Sequence, residues 1–244
     1  MITTRLIGGV GNQLFQSAMI FSFSKKHHVN YSIPETVINP HVPNKLAYKF
    51  PGFVYSNQPH NLEEYKEKSF RYEEIPPMDN VCFNGYWQSF KYSEGYRKEL
   101  LEAIGFPYQK NEGVVAIHVR RGDYLTSPDH HPVITEAYLG KAIYFFMQRG
   151  YYNFKVFSDD IEWCKENIGD KTYRVEFSEG NDEVEDMIDA SCCEHSIGSN
   201  SSYSWWLHYL NRNKNKIGVY PKKWFGSALG HDTTDLFISN SIML

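Results

Sequence analysis

The sequence is poor in the features that would set it outside the ordinary globular class. Its 244 residues include four cysteines, Cys82, Cys164, Cys192 and Cys193. None belongs to a CxxC pair and two are adjacent, which argues against a disulfide framework or a zinc site and fits a reducing compartment. No apolar run reaches the ~18 residues of a membrane-spanning helix. The opening MITTRLIGGVGNQLFQ lacks a basic segment followed by a long apolar stretch, so no signal peptide is expected. Positive charge is in slight deficit, with 25 Lys and Arg against 29 Asp and Glu. Such a balance gives no overall attraction for nucleic acid or an anionic membrane, and any anion must be met by a local cluster of cations. Internal repeats and low-complexity segments are also missing.

What is present describes a folded chain. Hydrophobic residues at 41% and charged residues at 22% are globular values. Aromatics at 16% serve core packing and also suit a carbohydrate-handling surface. The length admits one large or two modest domains. Turn formers mixed with charge in GFPYQKNEG, Gly105 to Gly113, mark a linker, which sets an N-terminal domain at 1–105 and a C-terminal one at 113–244.

In the first domain, GGVGNQ reads as a glycine-rich turn opening a helix, with Leu14, Ala18 and Phe21 at helical spacing. Prolines interrupt every period from Pro34 to Pro77, which reads as loop-rich. Val81 to Gln88 looks like a strand, and Ser93 to Ile104 like a helix ended by Gly105. The second domain alternates strand and helix. Strands are expected at Val114–Val119, Phe154–Phe157, Tyr173–Phe177 and His195–Ser199, and helices at Thr135–Arg149, Ile161–Ile168, Asp182–Cys193 and Tyr203–Asn211. Regular βα alternation implies a parallel sheet with helices on both faces, and ligands collect beyond the carboxyl ends of its strands.

Four motifs fall at such places. In IHVRRGDYL, period two along the strand puts His118 and Arg120 on one face. Arginine's planar fork suits phosphate oxygens, and a diphosphate is the natural guest. The alternative is a structural salt-bridge network in which Arg120 and Arg121 pair with Asp123 and other carboxylates. An adhesive RGD tripeptide is opposed by its strand-end position. In GGVGNQ, Gly9, Gly11, Asn12 and Gln13 can bring backbone amides to an anion at a helix N-terminus, or simply make a tight turn. In FSDD, Ser158 or Asp160 can cap the next helix, which leaves Asp159 unexplained. A carboxylate there can accept guanine's N1–H and exocyclic amino hydrogens. FSDD is not the DxD spacing that holds a divalent cation. In SNSSYSWWLHYL, Asn200, Ser201 and Ser202 lie where a strand gives way to a helix and can converge on an anion, or serve only as caps. Asp129, His130 and His131 are too close together in a Pro-flanked loop to aim at one metal ion, and the carboxylates of DEVED favour their helix N-terminus.

GGVGNQLFQSA, GYWQSFKY, HVRRGDY, FSDD and SNSSYSWW, in this order over almost the whole chain, resemble the bacterial α-1,2-fucosyltransferase family, whose members use GDP-fucose. The resemblance implies an α/β architecture of the GT-B type, two Rossmann-like halves with a parallel sheet in the C-terminal half. It implies inverting transfer of L-fucose from GDP-β-L-fucose to the 2-hydroxyl of a galactose in an oligosaccharide or glycolipid acceptor, with no cofactor and no metal. The C-terminal half would hold GDP-fucose and the N-terminal half the acceptor. His118 and Asp159 would face guanine, Arg120 the diphosphate, and Ser201 and Ser202 the phosphate oxygens, with Gly9, Gly11, Asn12, Gln13 and Asn200 completing the donor site. Arg120, Arg121 and Asp123 would carry the chemistry, with Asp123, Asp129 and His131 as candidate bases. The protein would be cytoplasmic, at most peripheral to the inner face of a membrane, and would not bind nucleic acid. The alternative function is a non-catalytic sugar-nucleotide or glycan-binding module of the same fold.

Overall fold

The computed structural model describes residues 1–37, 46–56 and 62–244. It divides into two compact units, Met1–Phe106 with His231–Phe237, and Pro107–Gly230 with Ile238–Leu244. The sequence places the whole of 113–244 in one domain, and the structure corrects this for His231–Phe237. Asp235 carries the correction: its carboxylate accepts the Tyr72 amide at 3.1 Å and Lys91 Nζ at 2.5 Å, and its carbonyl accepts the Ser89 hydroxyl at 2.9 Å.

In the first unit the elements are β1 (Ile2–Thr4), α1 (Val10–His27), β2 (Tyr31–Ser32), α2 (Leu46–Lys49), β3 (Glu63–Lys66), β4 (Val81–Asn84) and α3 (Arg97–Ile104). The strands form a parallel sheet in the order β2-β1-β4-β3. Between Pro34 and Pro77 the sequence placed no elements; α2 and β3 lie there, and residues 38–45 and 57–61 fall outside the described part. The strand expected through Gln88 stops at Asn84 because the Glu67 carboxylate takes the amides of Tyr86 and Trp87 at 2.7 and 3.0 Å. The helix expected from Ser93 begins at Arg97, after 3-10 turns at Phe90–Tyr92 and Glu94–Tyr96.

Helix α1 is buried from Val10 to Leu14 except Asn12, and throughout its middle. Gln16 fixes the preceding turn to it, accepting the Ile7 amide at 3.0 Å and donating to the Ile7 carbonyl at 3.3 Å. Gly8 sits in that turn at φ 78, a backbone conformation other residues adopt only with strain.

The second unit contains β5 (Asn111–Val119), α4 (Glu136–Met147), β6 (Asn153–Ser158), α5 (Ile161–Asn167), β7 (Arg174–Phe177), α6 (Glu183–Cys192), β8 (Cys193–Ile197), α7 (Ser202–Leu210), β9 (Gly218–Tyr220) and β10 (Ser241–Met243). Its sheet is parallel throughout, in the order β10-β9-β8-β5-β6-β7. From β5 the chain runs outward through β6 and β7, then returns to β8 on the other side of β5. The strand order thus reverses between β5 and β8, and the crevice beyond their carboxyl ends is where such sheets receive ligands. Val115, Ile117 and Val119 of β5, Val156 of β6, Ile197 of β8 and Val219 of β9 are fully buried in one apolar cluster with Phe146 of α4.

Side chains cap these helices at both ends, with Thr135 and Asp182, expected inside their helices, standing as N-caps. Thr135 accepts the Tyr138 amide and Asp160 the Trp163 amide, at 3.2 and 3.3 Å. Asp182 and Glu185 form a capping box, which accounts for the DEVED carboxylates at the start of α6. Lys216 Nζ donates to the carbonyls of His208, Tyr209 and Asn211 at the end of α7. Among the described residues no helix is long and apolar enough to cross a membrane.

Candidate functional site

Three loops leave the carboxyl ends of β5, β6 and β8 and meet at the switch point. Ser199 ties the first to the third: its hydroxyl donates to the His118 carbonyl at 2.9 Å and accepts the Arg120 amide at 2.8 Å. Ser158 ties the second to the first by donating to the Val119 carbonyl at 2.9 Å. Strand β5 ends at Val119, so Arg120 and Arg121 stand just past it.

The two arginines have different surroundings. Arg120 reaches Asp159 Oδ2 with Nη1 at 2.9 Å and Asp123 Oδ1 with Nη2 at 2.6 Å. Burial works against its charge, but the Asp159 and Asp123 carboxylates outweigh that and hold the guanidinium charged. Arg121 is more enclosed. Its Nε donates to Asp160 Oδ2 at 2.9 Å and its guanidinium lies 3.9 Å from the Trp163 ring centre. The salt-bridge network that sequence reading held as an alternative is therefore present, and it divides the labour. Arg121 is fixed at the start of α5, whereas Arg120 is held by the Asp159 and Asp123 carboxylates and lies 5.8 Å from the Tyr124 ring centre.

Asp159 has a partner on each oxygen. Oδ1 accepts the Arg121 amide at 2.9 Å while Oδ2 pairs with Arg120. Gly122 makes this possible, because a Cβ there would collide with Asp159 Oδ2. Both oxygens are thus directed at the arginine loop, and Asp160, not Asp159, caps α5.

His118 is 7% exposed and its Nδ1 lies 2.6 Å from Ser204 Oγ. That hydroxyl also accepts the Ser199 amide at 3.0 Å. His118 Nδ1 can accept the Ser204 proton, an arrangement in which the neutral imidazole carries its own proton on Nε2. Burial, reinforced by the Arg120 charge, pushes the His118 pKa down to about 3. The ring is a neutral N–H donor, tilted 32° against Tyr203 at 4.7 Å. Sequence reading missed Ser204; its position one turn into α7 within SNSSYSWW was the available signal.

This shift has a consequence for stability. Folded His118 stays neutral down to about pH 3, while the unfolded chain takes up a proton near 6.5. The unfolded state then binds more protons, so this group's contribution is lost as pH falls between those values. His118→Asn is expected to show a shallower fall in urea midpoint over that window than the parent protein. Parallel declines would mean that His118 is not held neutral.

Ser201 caps α7 by accepting the Tyr203 amide at 3.3 Å, and Ser202 is the first helical residue. Asn200 donates to the Trp224 carbonyl at 2.9 Å, while its buried Oδ1 has no partner among the described residues. Tyr124 spans the loops, donating to the Asn200 carbonyl at 3.0 Å and stacking on His131 at 4.7 Å. Burial lowers the His131 pKa and pushes that of Tyr124 up to about 12. Asp129 is exposed, and its carbonyl accepts the Ala228 amide at 2.9 Å. Among the described residues no three His, Cys, Asp or Glu side chains are placed to share a metal ion.

The second unit therefore brings together His118, Arg120, Arg121, Asp123, Asp159, Asn200, Ser201 and Ser202, with Asp129 and His131 on the following loop. Gly9, Gly11, Asn12 and Gln13 belong to the first unit. There the Asn12 and Gln13 amides both donate to the Gly9 carbonyl at 3.0 Å, and Asn12 Oδ1 accepts Gln88 Nε2 at 2.8 Å. Those two amides are used by the helix turn itself.

The family model described as glycosyl transferase family 11 matches residues 1–238. The chain belongs to that family. It is 29% identical over 275 residues to an alpha-1,2-colitosyltransferase of Escherichia coli, covering 92% of each chain. It is 28% identical over 247 residues to galactoside alpha-(1,2)-fucosyltransferase 2 of Rattus norvegicus, covering 86% of this chain and 67% of that one. Among solved structures it is similar to the alpha-1,6-fucosyltransferase NodZ soaked with GDP-fucose, with a TM-score of 0.52 and 12% identity over 86% of this chain and 91% of that one. At that identity the likeness concerns the fold: this family 11 glycosyltransferase has α/β units with parallel sheets, of the GT-B type.

Proposed function

We propose that this glycosyltransferase moves L-fucose from GDP-β-L-fucose to the 2-hydroxyl of a galactose-terminated acceptor, with inversion. The observation that carries the reading is Arg120: a charged guanidinium at a sheet switch point, held by exchangeable carboxylates beside the serine-capped start of α7. A diphosphate takes the place of the carboxylates on Arg120, and the Ser201–Ser202 turn at the helix N-terminus meets its remaining oxygens. His118 Nε2–H suits guanine O6, which accepts, and opposes adenine, whose amino group at that position donates. Asp159 aims Arg120 for the incoming diphosphate and keeps its bond to the Arg121 amide, so we assign it to positioning the arginine and not to reading the base. This departs from the role the family resemblance implies for it.

As the fucosyl–phosphate bond breaks, charge grows on the GDP oxygens and the sugar gains oxocarbenium character. Arg120 meets that growing charge, so it acts on the rate as well as on binding. Asp123 is 67% exposed and bonded to Arg120, which suits it to orienting the arginine before accepting the acceptor's proton. Because the cations are supplied by the chain, transfer is expected to continue in excess EDTA. Loss of transfer in EDTA with recovery on adding Mg²⁺ or Mn²⁺ contradicts this.

The similarity to a colitosyltransferase favours a second donor reading. Colitose is fucose without its 3-hydroxyl, so the same diphosphate and guanine contacts serve either sugar. Assaying GDP-fucose and GDP-colitose against a panel of β-galactosides decides between them: the reading expects fucose to be transferred faster. Exclusive use of GDP-colitose moves the assignment to that sugar, and binding of both without transfer leaves the non-catalytic module.

A further inference from the structure

Ser204 of α7 is 1% exposed and stands behind the His118 ring with two partners. Its Oγ accepts the Ser199 amide at 3.0 Å, and His118 Nδ1 lies 2.6 Å away. The hydroxyl has one proton to place. Burial keeps the imidazole neutral, so only one ring nitrogen carries a proton as well. Were that proton on Nδ1, it and the Ser199 amide would both point at Oγ, and the buried Ser204 proton would have no acceptor among the described residues. An orphaned buried donor is the costly arrangement. When Ser204 donates to Nδ1, every group is served and the ring proton stands on Nε2.

Nε2 is the open end of the ring. It has no hydrogen-bond partner among the described residues and keeps contact with solvent, whereas Nδ1 is turned inward. Tyr203 holds the ring in this setting, lying against its face at 4.7 Å and tied through its own hydroxyl to the Glu183 carbonyl. A fixed N–H at an open edge selects a ligand by what stands opposite. A purine with oxygen at position 6 offers an acceptor, and one with an amino group there offers a second donor. We propose that Ser204 sets the base selectivity of the nucleotide site by holding His118 in its Nε2–H form, so that the site takes 6-oxopurines, hypoxanthine as well as guanine, and refuses 6-aminopurines. Ser204 is a positioning residue, acting through His118. The proposal rests on the reading that places a nucleotide base at His118.

The test uses the full chain with GDP, IDP and ADP; the last two differ only at position 6 and in the N1 proton that goes with it. Calorimetry on the parent is expected to give IDP about tenfold tighter than ADP. Ser204→Ala frees the ring to carry its proton on either nitrogen, so ADP gains affinity and the ratio falls to about two or less, while GDP weakens by less than about threefold. Damage to the fold would weaken all three together. Ser204→Thr keeps the hydroxyl and is expected to keep the parent ratio. Long-range proton–nitrogen NMR of the histidine-labelled parent, with His118 assigned by its loss in His118→Asn, is expected to show a proton on Nε2 and none on Nδ1, which decides the matter even where a Ser204 variant does not fold. A proton on Nδ1, equal affinity of the parent for IDP and ADP, or an unchanged ratio in Ser204→Ala with GDP still bound overturns the proposal. A parent protein that binds neither GDP nor IDP fails the donor-site reading itself, and the two failures are told apart.

Discussion

Arg120→Lys is expected to lower turnover at saturating donor about a hundredfold, on the order of 3 kcal/mol, while weakening GDP binding less. Lysine keeps the positive charge but presents a single rotating ammonium, whereas the guanidinium spans Asp123 and Asp159 with separate nitrogens. The fork gives Arg120 a fixed aim, and a diphosphate that replaces the carboxylates inherits it. Because the bridging oxygen gains charge only as the bond breaks, the loss falls mainly on kcat. Single-turnover rates and separate GDP calorimetry measure the two effects. Asp123→Asn, Asp129→Asn and His131→Ala serve as comparisons. If one of these loses more turnover than Arg120→Lys with normal GDP affinity, a dedicated base exists and the leaving-group account fails.

Asp159→Asn is expected to cost about tenfold in turnover, consistent with loss of one charge-assisted bond on a partly exposed site, and to leave the preference for GDP over UDP intact. The reason is occupancy. Asp159 accepts the Arg121 amide and pairs with Arg120, under a glycine that has no Cβ to obstruct it. An asparagine can keep the amide contact through its carbonyl, but it turns a neutral group toward the guanidinium. Calorimetry with GDP and UDP decides. Collapse of the base preference in this variant would return Asp159 to guanine recognition and take that role from His118.

Much of the second unit was legible because its strands and helices are long enough to show their periods. The apolar run from Val114 to Val119 places the carboxyl end of β5 correctly, although the strand begins earlier, at Asn111. Strand β8 was expected at His195–Ser199 but spans Cys193–Ile197, which moves Ser199 off the strand and into the loop where it links Arg120 to His118. Strands β9 and β10, with three residues each, carry no readable alternation and gain their identity only from pairing. Partner choice was the larger gap. That both oxygens of Asp159 turn toward a loop 38 residues earlier follows from which strand lies beside β5, and strand order is not written in local spacing. Ser204 was hidden for the same reason, since its role depends on facing His118 across the β5–β8 switch point. The return of His231–Phe237 to the first unit shows in the contacts of Asp235 with Tyr72, Lys91 and Ser89 and of His231 with Phe70, which no composition shift announces.

In the proposed reaction the Arg120 site expels GDP from GDP-β-L-fucose while a galactose 2-hydroxyl takes the sugar. NMR of the purified product from GDP-β-L-fucose and a β-galactoside tests it most directly. One new fucosyl residue is expected, α-configured and attached at galactose O2, formed about a hundredfold more slowly when Arg120→Lys replaces the parent protein. A β-linked product, attachment at another hydroxyl, or unchanged acceptor alongside normal GDP binding would contradict it.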